Sequence, residues 1–183
     1  MNNHSSRRPL LDQLSSYQRE LIQQVPGECV LTVLSDQMHW LCELASSLST
    51  EQVDKVHAPY EWSIRQVFEH CGNAERIFGT RILRFAAGDQ TQLSSWDENA
   101  YADSRFGLGN FVHIVTELGS IRKANVMLLR RINPAAWDRT GMVDDLQYNV
   151  RALAWLAAGH LHHHLQIVEK RCGVKADRKL ISV

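Results

Sequence analysis

The last third of the chain carries apolar residues at alternating steps of three and four, a spacing that an α-helix places on one face. From residue 150 the series runs Val150, Leu153, Ala157, His160, His164 and Ile167. Two positions on this predicted buried face are therefore histidines. An imidazole in a dry interior costs roughly 1–3 kcal/mol unless it finds a partner. The sequence predicts a helix that packs against another helix, with something between them that satisfies both rings.

His160 and His164 leave the predicted helix on the same side, with their Cβ atoms about 5–6 Å apart. Two rings at this spacing can bind one metal ion, as in the paired-histidine helices of zinc hydrolases. Hydrogen bonds to backbone carbonyls or carboxylates would satisfy the rings as well. Of the neighbouring histidines, His162 is predicted to face the polar side of the helix and His163 the edge of the buried face.

The same spacing predicts long helices in other parts of the chain. Together with the last one, they cover roughly residues 28–48, 63–87, 110–133 and 149–172. A shorter helix is predicted over 10–25, ending at Pro26-Gly27. No segment alternates polar and apolar residues over a length typical of a strand. Long helices joined by connections long enough to cross over predict an all-α four-helix bundle with an additional short N-terminal helix.

The 183 residues suit one domain, with a disordered tail over 1–9, the bundle over 10–174 and a second tail over 175–183. The formal net charge is zero, and the basic residues are spread out, which disfavours a nucleic-acid partner. We find no apolar stretch of membrane-spanning length and no signal-peptide pattern, so a cytoplasmic location is predicted. The four cysteines include no Cys-x-x-Cys pair, which disfavours a disulfide framework or a cysteine zinc site.

A metal site of the catalytic type needs a third protein ligand. Of the remaining histidines, His70 is the best placed to meet His160 and His164. It lies about two turns into the second long helix, beside the apolar position Cys71. A histidine at such a position can also be a core residue that is satisfied by hydrogen bonds.

Two segments resemble motifs of the DinB/YfiT-like superfamily. Residues 62–70, Trp-Ser-Ile-Arg-Gln-Val-Phe-Glu-His, are similar to its tryptophan-serine segment that ends in histidine. Residues 158–167, Ala-Gly-His-Leu-His-His-His-Leu-Gln-Ile, are similar to its last-helix motif of histidines followed by Gln-Ile. The Gln-Ile pair is one residue closer to the histidines here than in some members. The resemblance spans roughly residues 29–174, with the motifs in the family's order.

The resemblance implies an up-down-down-up bundle that binds a divalent metal ion, most often zinc or nickel, through His70, His160 and His164. His162 is extra relative to the motif, so His162 and His163 stay open as further ligands. A homodimer is also implied. The implied function is a metal-dependent hydrolase acting on an unidentified small molecule. A transferase of low-molecular-weight thiols is one alternative, and a non-catalytic, stress-related bundle that binds a metal or a ligand is another.

Three neutral imidazoles would leave the ion its full charge and an open position, where water could ionise near pH ~7 or a thiol could bind as thiolate. Hydrolysis would also need a general base, and Leu161 stands where His-Glu-x-x-His enzymes have glutamate. The candidate bases are Glu69, Glu75, Asp97 and Glu98. The sequence favours none of them. Arg122 is predicted either to orient an anionic substrate or to pair with a structural acid such as Asp97.

Overall fold

The computed structural model describes residues 6–12, 14–104 and 109–176. In chain order its helices are α1 (Ser16–Gln23), α2 (Val30–Ser46), α3 (Thr50–Asp54), α4 (Ile64–Ala87), α5 (Glu98–Ser104), α6 (Phe111–Arg131) and α7 (Val150–Cys172). A short 3-10 helix, Pro134–Asp138, follows α6. The long helices α2, α4, α6 and α7 form a bundle, and α1 packs against α7. The predicted all-α four-helix bundle with an additional short N-terminal helix is confirmed.

Side-chain caps set the limits of the helices. The hydroxyl of Ser63 accepts a hydrogen bond from the backbone N–H of Gln66, and the side chain of Gln66 accepts one from the backbone N–H of Ser63. Gly88 ends α4 in the left-handed conformation, with φ of 83°, which glycine adopts without steric cost. Asn149 caps the start of α7 by accepting from the N–H of Ala152 (2.7 Å). The predicted start and end of α4 are therefore correct.

Helices α4 and α6 run in the same direction. Near their first turns, Phe68 and Phe111 meet edge to face with ring centroids 5.0 Å apart. Further along both helices, about two turns in α4 and about four in α6, the side-chain amide of Asn125 donates to the backbone carbonyl of Glu75 (2.9 Å). Because consecutive parallel helices begin at the same end of a bundle, the connection between them must return along its length.

Helix α7 runs opposite to α4 and parallel to α2. The guanidinium of Arg171, near the end of α7, donates to the carbonyl of Trp62, just before α4. Gln37 of α2 donates to the carbonyl of Ala158 (2.7 Å), and one turn further along both helices the ring of Trp40 contacts that of His162. In chain order the bundle helices therefore run up, down, down and up.

A small antiparallel hairpin lies between the 3-10 helix and α7, where the sequence predicted no strand. Its strands are β1 (Thr140–Val143) and β2 (Leu146–Asn149), with Gly141 opposite Tyr148. A Cβ at Gly141 would lie 2.2 Å from the ring of Phe85, so only glycine allows the hairpin to lie this close to α4. The hairpin covers one end of the bundle core.

A buried polar layer separates two apolar clusters in the core. Arg122, which is 1% exposed, pairs with the carboxylate of Glu75 (2.8 Å). It also donates to the side-chain oxygen of Gln37 (2.8 Å) and to the carbonyl of Ala157 (3.1 Å). The structural role predicted for Arg122 fits these contacts, but its acidic partner is Glu75 rather than Asp97. Glu75 is committed to this ion pair and is therefore removed from the candidate bases.

Parts of the two predicted tails lie outside the described residues, namely residues 1–5 and 177–183. Residues 6–9, predicted to be disordered with the rest of the first tail, contact the bundle instead. The guanidinium of Arg8 donates to the carbonyls of Ile22 (2.9 Å) and Val25 (2.6 Å), and the indole of Trp155 donates to the carbonyl of Arg7 (2.9 Å). Among the described helices, none combines the length and the hydropathy that a membrane span requires.

Candidate metal centre

Three histidines from two antiparallel helices bring their Nε2 atoms together inside the bundle. The Nε2 atom of His70, on α4, lies 2.9 Å from that of His160 and 3.2 Å from that of His164, both on α7. One ligand atom from each residue can be chosen so that all lie within 4.8 Å of one another. The structure thus places the three residues that the sequence singled out at one point. That they bind a metal ion stays a prediction.

Hydrogen bonds among the three rings cannot satisfy this arrangement. A ring nitrogen of a neutral imidazole carries either one N–H or one in-plane lone pair. The Nε2 of His70 can therefore take part in one good hydrogen bond, yet it makes two short contacts. The two contacts therefore cannot both be well-directed hydrogen bonds, and of the three Nε2 atoms at least two must be alike, either both N–H or both lone pair. A cation at the centre, which accepts a lone pair from each nitrogen, removes the conflict.

Protonation of the rings does not remove the conflict either. Burial lowers the pKa of His70 to about 4. Burial, followed by the neighbouring His70 and His163 rings and the Arg122 guanidinium, lowers the pKa of His160 well below its ordinary value. Burial and the adjacent histidines lower the pKa of His164 in the same way. All three rings are therefore neutral at pH 7, which is the form that binds metals.

The separations fit a shared metal ion. Two nitrogens that each lie about 2.0–2.1 Å from a tetrahedral zinc ion are about 3.3 Å apart. The two Nε2 separations of 2.9 and 3.2 Å are close to this value. The three residues present therefore suit a divalent ion that prefers nitrogen ligands, with coordination positions left for other molecules.

Aromatic packing orients the ring of His70. Trp96, from the connection between α4 and α6, stacks on it with centroids 5.7 Å apart and planes 11° apart. Trp62, just before α4, lies on it at 5.1 Å with tilted planes. The Nδ1 atoms of His70 and His164 are buried and have no hydrogen-bond partner among the described residues. Packing, rather than the carboxylate or carbonyl partners common around metal-binding histidines, therefore fixes the orientation of His70.

The structure corrects the prediction for His162. It was expected on the polar side of the last helix, but it is 4% exposed and contacts the ring of Trp40, with centroids 6.3 Å apart. The reason is that α1, α2 and α4 all pack on α7, so this stretch of α7 has no polar side. His163 is half-buried, edge-on to the ring of Tyr17. Neither residue belongs to the cluster of three Nε2 atoms.

Of the candidate bases, Glu98 is the one at the histidine cluster. Its carboxylate, on the first turn of α5, lies 3.8 Å from the Nε2 of His70. Burial and the neighbouring Asp97 raise the pKa of Glu98. Asp97 is exposed and accepts a hydrogen bond from the N–H of Ala100 (3.0 Å). Burial, followed by the nearby charge of Glu117 on α6, raises the pKa of Glu69.

A cavity of about 200 Å³ opens beside the histidine cluster. His160, Trp96 and Glu98 line it on the side of the cluster, and Arg81 and Tyr148 line it as well. The sequence pointed to neither Arg81 nor Tyr148. Arg81 belongs to α4, and Tyr148 belongs to the hairpin, which the sequence did not predict. The sequence therefore did not indicate that the two residues lie at the same cavity.

Comparisons with known proteins agree with the fold. The profile of the DinB superfamily matches residues 34–168, a range that includes all three clustered histidines. Among solved structures, the chain is similar to YfiT from Bacillus subtilis, described as a probable metal-dependent hydrolase with an unusual four-helix bundle topology. The two are 19% identical, with a TM-score of 0.69 over 94% of this chain and 99% of that one. No curated protein matches the chain.

Proposed function

The chain belongs to the DinB superfamily, and we propose that it is a divalent-metal-dependent hydrolase whose ion is held by His70, His160 and His164. The observation that carries the proposal is the pair of contacts from one nitrogen, the Nε2 of His70, at 2.9 and 3.2 Å, which cannot both be well-directed hydrogen bonds. The description of YfiT as a probable metal-dependent hydrolase supports the same class of reaction. Zinc and nickel, the proposed ions, both accept imidazole ligands.

The ion, when bound, would supply Lewis acidity, which lowers the pKa of water and polarises a carbonyl or phosphoryl oxygen. Among the chain's own groups, the Glu98 carboxylate is placed to take up a proton, because its Oε2 atom lies 3.8 Å from the Nε2 of His70. The raised pKa of Glu98 brings it closer to the pH at which a general base is most effective. We therefore propose Glu98 as the proton acceptor.

The aromatic residues around the cluster would exclude bulk water from the reaction. Trp62 and Trp96 both pack on the ring of His70, and Phe78 lies edge-on to the ring of His160, with centroids 6.0 Å apart. A dry surrounding strengthens electrostatic interactions with charge that develops in a transition state. These side chains would also hold the ligand rings in place when an ion is absent.

Elemental analysis of the purified full chain tests the metal site. We expect one divalent ion per chain in the parent and much less in His70→Ala, His160→Ala and His164→Ala. His39→Ala is the matched control, because His39 is exposed and pairs with Glu43 (3.1 Å). Undiminished metal in His160→Ala would overturn the proposed ligand set.

A substrate screen then tests the reaction class. Zinc- and nickel-loaded protein would be assayed with ester and amide substrates, and with thiol-plus-electrophile pairs in parallel. We expect metal-dependent hydrolysis that Glu98→Gln reduces without loss of the ion. Thiol conjugation without hydrolysis would favour the transferase, and no turnover with a full complement of metal would favour the non-catalytic bundle.

A further inference from the structure

Two chemically different groups of residues line the cavity beside the histidine cluster. His160, Trp96 and Glu98 belong to the surroundings of the cluster. Arg81, on α4, and Tyr148, on β2, form the other group. On α4, the ring of Phe78 lies beside the ring of His160. Arg81 follows Phe78 by three residues, which places it about 4.5 Å further along the axis of α4. A molecule in the cavity would therefore extend from the histidines toward the hairpin.

Arg81 is a half-buried cation whose donors are mostly unused. A guanidinium has five N–H donors, and Arg81 gives one to the carbonyl of Ser94 (3.1 Å). No carboxylate of the described residues forms an ion pair with it, whereas Arg84 on the next turn pairs with Asp89 (2.6 Å) and Arg122 with Glu75 (2.8 Å). Burial lowers the pKa of Arg81, and Tyr148 and the carboxylate of Asp144 act in the opposite direction.

Tyr148 adds a second donor in the same group. Its phenol oxygen accepts a hydrogen bond from the side-chain amide of Gln18 (2.8 Å), and the described residues offer no acceptor for its own hydroxyl hydrogen. The residue is 8% exposed and lines the cavity, so its hydroxyl is free to donate to a molecule bound there. Tyr148 is also close enough to affect the pKa of Arg81. The two residues form a pair of donors suited to an anionic oxygen.

We infer that the cavity binds a small organic substrate through a carboxylate group, which Arg81 and Tyr148 hold while the bond to be cleaved lies at the histidine cluster. The inference rests on the proposed hydrolase function and names the class of its substrate. A planar guanidinium matches a carboxylate with two parallel hydrogen bonds. A phosphate dianion fits less well, because Arg81 is the one cationic side chain among the lining residues and Glu98 is among them as well. The volume of about 200 Å³ is below the ~300–1,000 Å³ typical of drug-sized ligands.

Two esters of equal length test the inference on the metal-loaded full chain. 4-Nitrophenyl hydrogen glutarate carries a free carboxylate where 4-nitrophenyl pentanoate carries a methyl group. We expect the glutarate ester to have the higher kcat/KM by roughly tenfold or more. Arg81→Gln should remove this preference through a higher KM for the glutarate ester, and Tyr148→Phe should reduce the preference.

Arg84→Gln is the matched control, because it removes the same charge one turn away without lining the cavity. It should keep the preference. An undiminished preference for the glutarate ester in Arg81→Gln would overturn the inference while leaving the hydrolase function intact.

Calorimetric binding separates this inference from the hydrolase function. Glutarate, the neutral glutaramide and inorganic phosphate would be titrated into the full chain, as purified and after removal of metal with a chelator. We expect glutarate to bind both forms, and Arg81→Gln to weaken this binding by roughly tenfold or more. Arg81-dependent glutarate binding without any ester hydrolysis would support the carboxylate site and count against the hydrolase.

Two other results would overturn the inference. One is binding of glutarate that is lost on metal removal but unchanged in Arg81→Gln, since the carboxylate would then occupy the metal centre. The other is tighter Arg81-dependent binding of phosphate than of glutarate.

Discussion

The indole ring of Trp96 stacks on the imidazole of His70, with planes 11° apart. Trp96 belongs to the connection between α4 and α6, which are parallel, so this connection has to return along the bundle. Its return passes over the histidine cluster and also places Glu98 there. The up-down-down-up order therefore supplies a cover for the site from a segment that a simple up-down bundle would reduce to a short turn.

Replacing Trp96 tests whether the stack fixes His70. We expect Trp96→Ala to weaken metal affinity about 10–100-fold, the range typical of residues that orient metal ligands, because His70 lacks a hydrogen bond at Nδ1. Trp96→Phe should keep most of the affinity. Competition with a chromophoric chelator would measure it. Equal affinity in the alanine variant and the parent would show that the stack does not position the ring.

Local signals in the sequence were sufficient for the long bundle helices and for the pairing of His160 with His164, whereas the short helices α3 and α5 were not predicted. The helix predicted over residues 63–87 is Ile64–Ala87 in the structure, between a capping box at Ser63 and the terminal Gly88. His160 and His164 share one face because a helix has a fixed period. His70 was assigned to the cluster from its resemblance to a family motif, because its position on the predicted helix also allowed a role as a hydrogen-bonded core residue.

The features that the sequence did not predict depend on contacts between distant segments. The side of α7 that holds His162 is covered by other helices, and the pattern within α7 cannot show this. Arg122 pairs with Glu75 rather than Asp97 because α4 and α6 are neighbours and parallel. The strands at Thr140–Val143 and Leu146–Asn149 are too short for a recognisable alternation, so Tyr148 could not be placed beside Arg81.

His162 should matter for stability and not for metal content. Its side chain is buried beside Trp40, so His162→Ala would leave a cavity that costs about 2–4 kcal/mol of unfolding free energy. We expect the variant to keep its metal. Urea unfolding and elemental analysis on the same preparation would check both parts, and loss of the ion in a folded His162→Ala would return this residue to the ligand set.

The Arg122–Glu75 pair should be costly to break on one side. Both residues are buried, so Arg122→Met would leave an unpaired carboxylate and cost about 3–5 kcal/mol. The double variant Arg122→Met/Glu75→Leu should recover part of this loss. Arg76→Ala, which breaks the exposed pair with Glu117, is the control and should cost at most about 1 kcal/mol. Denaturant unfolding measures the stability of all three variants. An Arg122→Met variant as stable as the parent would contradict the expected cost of the unpaired carboxylate.

Acid should destabilise the metal-free protein through its histidines. Burial lowers the pKa of His70 to about 4 in the folded state, against about 6.5 when unfolded. Between these values the unfolded chain binds a proton that the folded chain does not, so stability is unaffected by this group above pH ~6.5 and falls as the pH drops toward ~4. For His70 alone, the loss at pH 4 is about 3 kcal/mol, and His160 and His164 act in the same direction.

Urea unfolding of chelator-treated protein between pH 7.5 and 4.5 would measure this dependence. Carboxylates also contribute in acid, so the informative quantity is the difference between the parent and His70→Gln, whose stability should fall less steeply below pH ~6.5. His39→Gln is the matched control, because His39 is exposed on α2, and it should keep the parent's slope. Identical slopes in His70→Gln and the parent would mean that the ring of His70 is not held neutral by burial.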